Sequence, residues 1–173
     1  MNIQKNRHVF VLFALFFGTH IFAKEGDSQK GRILCKESES PVFSFRIERS
    51  TKIASICKGA RDSYLVYRFG RPGRVELQYP KDLNLGSWKL FKFSGYSRGG
   101  GIQNDAMGDY TLKFSNGNVE YTAFQEWRLI DNGYQIGMVV DVGNVRTVLK
   151  GKKESQVGAL TLLDGNANMM NSE

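Results

Sequence analysis

The stretch Ser63-Tyr-Leu-Val-Tyr-Arg-Phe-Gly-Arg-Pro-Gly-Arg-Val-Glu-Leu-Gln-Tyr79 constrains the fold of this chain more than any other. Two runs rich in aromatic and branched residues flank Gly70-Arg71-Pro72-Gly73, and Pro80 ends the second run. Pro presets φ for the first central position of a turn and Gly accepts positive φ at the next, so Pro72-Gly73 reads as a type II turn. Leu65, Tyr67 and Phe69 then share one face, where Val75, Leu77 and Tyr79 meet them across the hairpin. Arg68, Arg74, Glu76 and Gln78 are expected to face water.

The remaining chain repeats this style. Phe43, Phe45 and Ile47 alternate with Ser44, Arg46 and Glu48, as in a half-buried strand, and Lys52 to Cys57 returns after a turn at Arg49-Ser50-Thr51. Trp88 to Phe93 reads as a strand with imperfect alternation. Gly108 to Phe114 and Asn118 to Phe124 flank Asn116-Gly117, which predicts a type I′ hairpin. Tyr134 to Val140, Val145 to Lys150 and Gln156 to Leu163 complete the set, and Asp164 to Glu173 reads as a flexible tail. The expected fold is all-β: one antiparallel meander of about eight to nine strands, closed or partly closed into a barrel, with a sandwich as the alternative. Residues 24–163 form a single domain.

Residues 1–23 carry the pattern of a cleaved signal peptide. Lys5 and Arg7 precede an apolar core from Val9 to Gly18, and Ala23 offers a small residue for cleavage. That run of roughly ten apolar residues is shorter than the ~20 that span a bilayer. Removal of Lys5 and Arg7 lowers 24 bases to 22 against 17 acids, a net charge of +5. It also removes His8 and His20, the two histidines of the chain, and with them the commonest general base and zinc ligand. The expected location is periplasmic or secreted. There an even pair of cysteines, Cys35 and Cys57, reads as a disulfide stabilising by roughly 3 kcal/mol.

Two regions are candidates for binding. The first is the long connection Ser94-Gly-Tyr-Ser-Arg-Gly-Gly-Gly-Ile-Gln-Asn-Asp-Ala-Met107. Within it Ser94, Gly95, Tyr96, Arg98, Gly99, Gly100 and Gly101 form the candidate site, because long loops in compact β domains often bind. The second is a basic face of Arg68, Arg71, Arg74, Lys89 and Lys92, with Tyr67, Tyr79, Trp88 and Tyr96 among them. Such a face suits an acidic glycan or lipid headgroup rather than nucleic acid in an exported chain. A hydrolase would need two of Glu76, Asp105, Asp109, Glu120 and Glu126 in one cleft, or Ser94 or Ser97 with Lys89 or Lys92. No spacing brings such a pair together, so no catalytic residue, metal site or cofactor is assigned, and the chain reads as a binding protein and not an enzyme.

Tyr64-Leu-Val-Tyr-Arg-Phe-Gly-Arg-Pro-Gly-Arg-Val-Glu-Leu-Gln-Tyr-Pro80, with Ser55-Ile-Cys57 before it and the Gly-rich segment and Gly117 after it, resembles a group of uncharacterised exported bacterial β domains. The resemblance covers Cys35 to Lys150 and implies no established activity. A weaker one, through Ser94-Gly95-Tyr96, is to the periplasmic lysozyme inhibitors. It implies a small exported β-barrel that pushes this loop into the cleft of a cell-wall hydrolase, with Arg98 meeting a catalytic carboxylate. The partner expected is therefore a lysozyme or other cell-wall hydrolase, or an anionic envelope glycan or lipid.

Overall fold

The structure, a computed structural model, describes residues 31–101 and 104–170, so the signal segment 1–23 lies outside the described residues. Ten strands follow one another: β1 (Glu39–Arg46), β2 (Ile53–Gly59), β3 (Leu65–Arg71), β4 (Arg74–Tyr79), β5 (Lys92–Arg98), β6 (Met107–Asn116), β7 (Val119–Arg128), β8 (Gly133–Val142), β9 (Val145–Lys150) and β10 (Val157–Gly158). They make two five-stranded antiparallel sheets, ordered β10-β1-β2-β3-β4 and β5-β6-β7-β8-β9.

The Ser63–Tyr79 hairpin forms, with Tyr67 opposite Tyr79 and Phe69 opposite Leu77, but Val75, expected on the same inward face, pairs with Gly70 and is 47% exposed. Gly73 has φ +78°, which supports the type II reading of Pro72-Gly73. Such a turn splays flanking strands, and a bulge between Phe69 and Gly70 absorbs the mismatch. The Asn116 turn differs from expectation. Asn116 pairs with Val119, and positive φ falls on Gly117 but not on Asn118, so the reversal has the type II′ pattern and not type I′.

The core lies between the sheets. Phe43, Phe45, Ile56, Leu65 and Tyr67 of the first sheet meet Tyr110, Leu112, Phe114, Ile136 and Met138 of the second. Phe114 is the hub. Its ring lies 4.9 Å from those of Tyr67, Tyr79 and Tyr121, and 5.3 Å from that of Phe91. Each such pair adds about 0.5–1.5 kcal/mol beyond the area it buries.

The barrel expectation is overturned. The sheets join at one corner, where an isolated bridge pairs Ile47 with Gly151, but no ladder connects β4 to β5. The chain between those strands does not stay extended. Leu85–Leu90 coils into a 3-10 helix, capped by Asn84 Oδ1 on the Gly86 amide, and this replaces the strand expected from Trp88. Trp88 is buried, and its indole N–H donates to the Asp62 carbonyl at 2.9 Å. Trp88 and Phe91 join the core instead, with the Phe91 ring edge-on to that of Tyr79 at the end of β4, centroids 5.7 Å apart.

Two further segments differ from the reading of the sequence. Ser94 to Arg98 belong to β5 and not to a loop, which shortens the connection to residues 99–106. Val157–Gly158 alone is strand in the last stretch. Leu160–Leu163 turns into 3-10 helix, and Met169, in the segment expected to fray, enters the core.

Gly73 faces open space, so its substitution tests backbone conformation alone. Gly73→Val is expected to lower stability by about 1–2 kcal/mol in urea unfolding, because a side chain crowds the left-handed region, while Gly73→Asn costs less.

Candidate functional site

The outer face of the first sheet carries one polar row across four strands. Ser44, Ser55, Arg68 and Gln78 are successive register partners on β1, β2, β3 and β4. Arg68 was expected to face water, as a member of the basic face. Instead it is 1% exposed, because the segment 31–38 folds over this row. Its guanidinium forks onto the Glu39 carboxylate at 2.6 and 2.8 Å, donates from Nε to Gln78 Oε1 at 2.9 Å, and approaches the Leu34 carbonyl at 3.4 Å. Glu39 also accepts from the Lys36 amide at 2.7 Å and from the Tyr64 hydroxyl at 2.9 Å.

Burial pushes the Glu39 carboxyl pKa up. The hydrogen bonds from Arg68, Lys36 and Tyr64, with the Arg68 charge, outweigh it and hold the pKa below the ordinary value. Burial, then the hydrogen bond to Glu39 and its charge, raise the Tyr64 phenol in turn.

The disulfide lies beside this pair. Cys35 and Cys57 are joined with Cα atoms 5.6 Å apart, which fastens the amino-terminal segment onto β2 as the sequence implies. Cys35, Cys57 and Glu39 bring their sulfur and oxygen atoms within 4.8 Å of one another, yet both sulfurs are committed to each other and are not thiolate ligands. The Leu34 amide adds a bond to Ser55 Oγ at 2.9 Å, and Ser44 Oγ donates to the Arg32 carbonyl at 3.3 Å.

Those contacts place Arg32 at the corner where the sheets join. There the residues after β9 run beside β1: the Lys152 amide donates to the Arg46 carbonyl at 2.8 Å, and the Arg46 amide to Ser155 Oγ at 2.8 Å. Arg32, Arg46, Lys152, Glu154 and Ser155 line a cleft of about 420 Å³. Arg32 Nη2 donates to the Glu154 carbonyl at 3.0 Å, which leaves its charge uncompensated by that contact. Among the described residues, none of the three cations is in an ion pair. The lining thus sets three bases, Arg32, Arg46 and Lys152, against one acid, Glu154. The arrangement can hold an anion. It offers no nucleophile paired with a base.

The other candidate residues fall elsewhere. Ser94, Gly95, Tyr96 and Arg98 are exposed along β5, and Gly99, Gly100 and Gly101 are exposed beyond it. Arg98 folds back on its own loop, donating from Nε to the Asp105 carbonyl at 2.9 Å. Arg71 and Arg74 face each other across the hairpin turn, Lys89 sits on the 3-10 helix, and Lys92 pairs with Lys113 in the second sheet. With Arg68 buried, these do not form one basic face. Of the carboxylates, Asp109 and Glu126 are register partners on β6 and β7. Glu126 lines a small cleft of about 280 Å³ with Asp131, Arg128 and Gln135, and Asp109 is not among its lining residues. Asp105 is committed to the Ile130 amide, and Glu76 to Lys52 at 2.7 Å.

In comparisons with known proteins, no family model, no curated protein and no solved structure matches this chain.

Arg68→Met leaves a carboxylate buried without its partner and is expected to cost about 3–5 kcal/mol. Because the Glu39 pKa is depressed in the folded state, its contribution is complete above the ordinary value of 4.5 and is lost as pH falls through the lower folded value. Urea midpoints measured across acid pH should show this loss in the native chain and not in Glu39→Gln.

Proposed function

We propose that the chain is an exported, non-enzymatic binding domain, and that the corner cleft holds an anionic group of an envelope glycan or lipid headgroup. The carrying observation is the cleft itself: Arg32, Arg46 and Lys152 converge from three distant parts of the chain around one open space. A concave surface in which bases outnumber acids, here three to one, focuses a positive field, and each basic residue near an anionic lipid surface adds about 1 kcal/mol.

The test is calorimetric titration of residues 24–173 with oligogalacturonate and, separately, with phosphatidylglycerol vesicles. The two arms distinguish a glycan from a lipid source. Binding to one of them should weaken steeply between low and high salt. Arg46→Glu combined with Lys152→Glu should weaken it more than tenfold, whereas Arg71→Glu combined with Arg74→Glu should change it little. If the first pair leaves affinity unchanged, or if the native chain binds neither probe, the reading fails.

A second reading, inhibition of a cell-wall hydrolase through Ser94 to Gly101, is favoured by the exposure of every residue named in it. Its weakness is Arg98, whose engagement with the Asp105 carbonyl must be broken to reach a catalytic carboxylate.

A further inference from the structure

We propose that β5 is a docking edge for an extended, acidic segment of a partner protein, which adds to the second sheet as a sixth strand. This rests on observations separate from the corner cleft.

The first observation is an open, regular edge. Lys92 to Arg98 pair with Lys113 to Met107 in seven consecutive register steps, without a bulge or a proline. Ser94 to Arg98 are all exposed, so the outer row of backbone N–H and C=O groups on β5 is available. The other edges are less free. β10 is two residues long, and β4 carries the Phe69–Gly70 irregularity in its pairing and is followed by Pro80. β9 ends against the first sheet, with the Lys150 carbonyl accepting from the Glu48 amide.

The second observation is charge. β5 has a cation near each end, Lys92 and Arg98, and no acid between them. Lys92 lies directly opposite Lys113, a like-charged pair, and none of these three cations is in an ion pair among the described residues. Antiparallel pairing of two copies centred on Gly95 would set Lys92 of each against Arg98 of the other. Like charges directly opposite are unfavourable, so the edge resists a second copy and suits a strand with acids near its ends.

The third observation fixes the middle of the occupant. Gly95 is held bare, since a Cβ there would meet the Phe93 ring at 2.9 Å and the Tyr110 ring at 3.0 Å. Tyr96 beside it is 54% exposed and offers an aromatic surface to an apolar residue. Asp109 and Glu126 share its row and would repel an acid placed there. Lys92, Ser94, Tyr96 and Arg98 point to the outer face. The matching antiparallel segment therefore reads Glu-x-Val-x-Thr-x-Glu, with its first Glu opposite Arg98 and its last opposite Lys92.

The experiment uses that heptapeptide, with Ser at the x positions and a fluorescent label, in anisotropy titrations against residues 24–173. Two further versions carry N-methyl groups on alternate residues, one version for each parity. Strand addition needs the peptide amides of one parity only, so one version should bind at least tenfold more weakly and the other should bind nearly as the parent does. Lys92→Glu with Arg98→Glu should weaken the parent at least tenfold, and Arg46→Glu with Lys152→Glu should leave it unchanged. Equal effects of the two methylation patterns, unchanged binding to the Lys92/Arg98 variant, or no binding of the parent would each overturn the proposal.

Discussion

The ion pair between Arg68 and Glu39 is the interaction on which the remaining organisation of the first sheet depends. Both groups are withdrawn from water, and that withdrawal is costly unless every donor and acceptor finds a partner. Here the partners come from four places: β4 through Gln78, the Leu34 carbonyl, the Lys36 amide, and Tyr64 ahead of β3. The pair is satisfied only when the amino-terminal segment lies across the sheet. The same geometry brings Cys35 to Cys57, seats Leu34 on Ser55 and delivers Arg32 to the corner. A covalent bond and a buried charge pair thus fix one segment of chain, and the basic cleft is a consequence of where that segment begins.

The second sheet is organised by a different constraint. Ring packing around Phe114 draws both sheets together, while the chain between β4 and β5 coils and sends Trp88 and Phe91 into the core. Burying Trp88 and Phe91 on a coiled connection covers apolar surface without a β4–β5 ladder, and the sandwich remains open there. The consequence is β5, a strand paired on one side only. The two candidate surfaces have separate origins: the cleft follows from the corner that joins, and the docking edge from the side that does not.

The central hairpin was legible in the sequence because its signals are local. Pro72-Gly73 and the alternation of Leu65, Tyr67 and Phe69 state both the turn and the inward face. The disulfide followed from composition, and Arg46 was correctly placed on an outward face by its alternation with Phe45 and Ile47. Arg68 was misread for a physical reason. Alternation says which side of a sheet a residue occupies, but not whether a distant segment covers that side, and the Leu34 carbonyl that meets Arg68 here lies 34 residues upstream. The cleft was missed for the same reason. Arg32 and Lys152 are separated by more than a hundred residues, and only the Lys150-Gly-Lys-Lys153 run hinted at a basic corner. Trp88 was misplaced because a short 3-10 turn has the same apolar density as a strand. Its imperfect alternation, with Asn84 positioned to cap, was the available signal.

The buried pair holds the amino-terminal segment on the first sheet through Glu39, the Leu34 carbonyl and the Lys36 amide. Native-state hydrogen exchange of Glu39→Gln tests it most directly, with the disulfide intact in both proteins. In the native chain the Leu34 and Lys36 amides should exchange with the slow amides of β2 and β3. In the variant they should exchange at least tenfold faster than those amides, which would remain grouped together. If Leu34 and Lys36 keep their place among the slow amides after the substitution, the ion pair does not hold the segment and the account is contradicted.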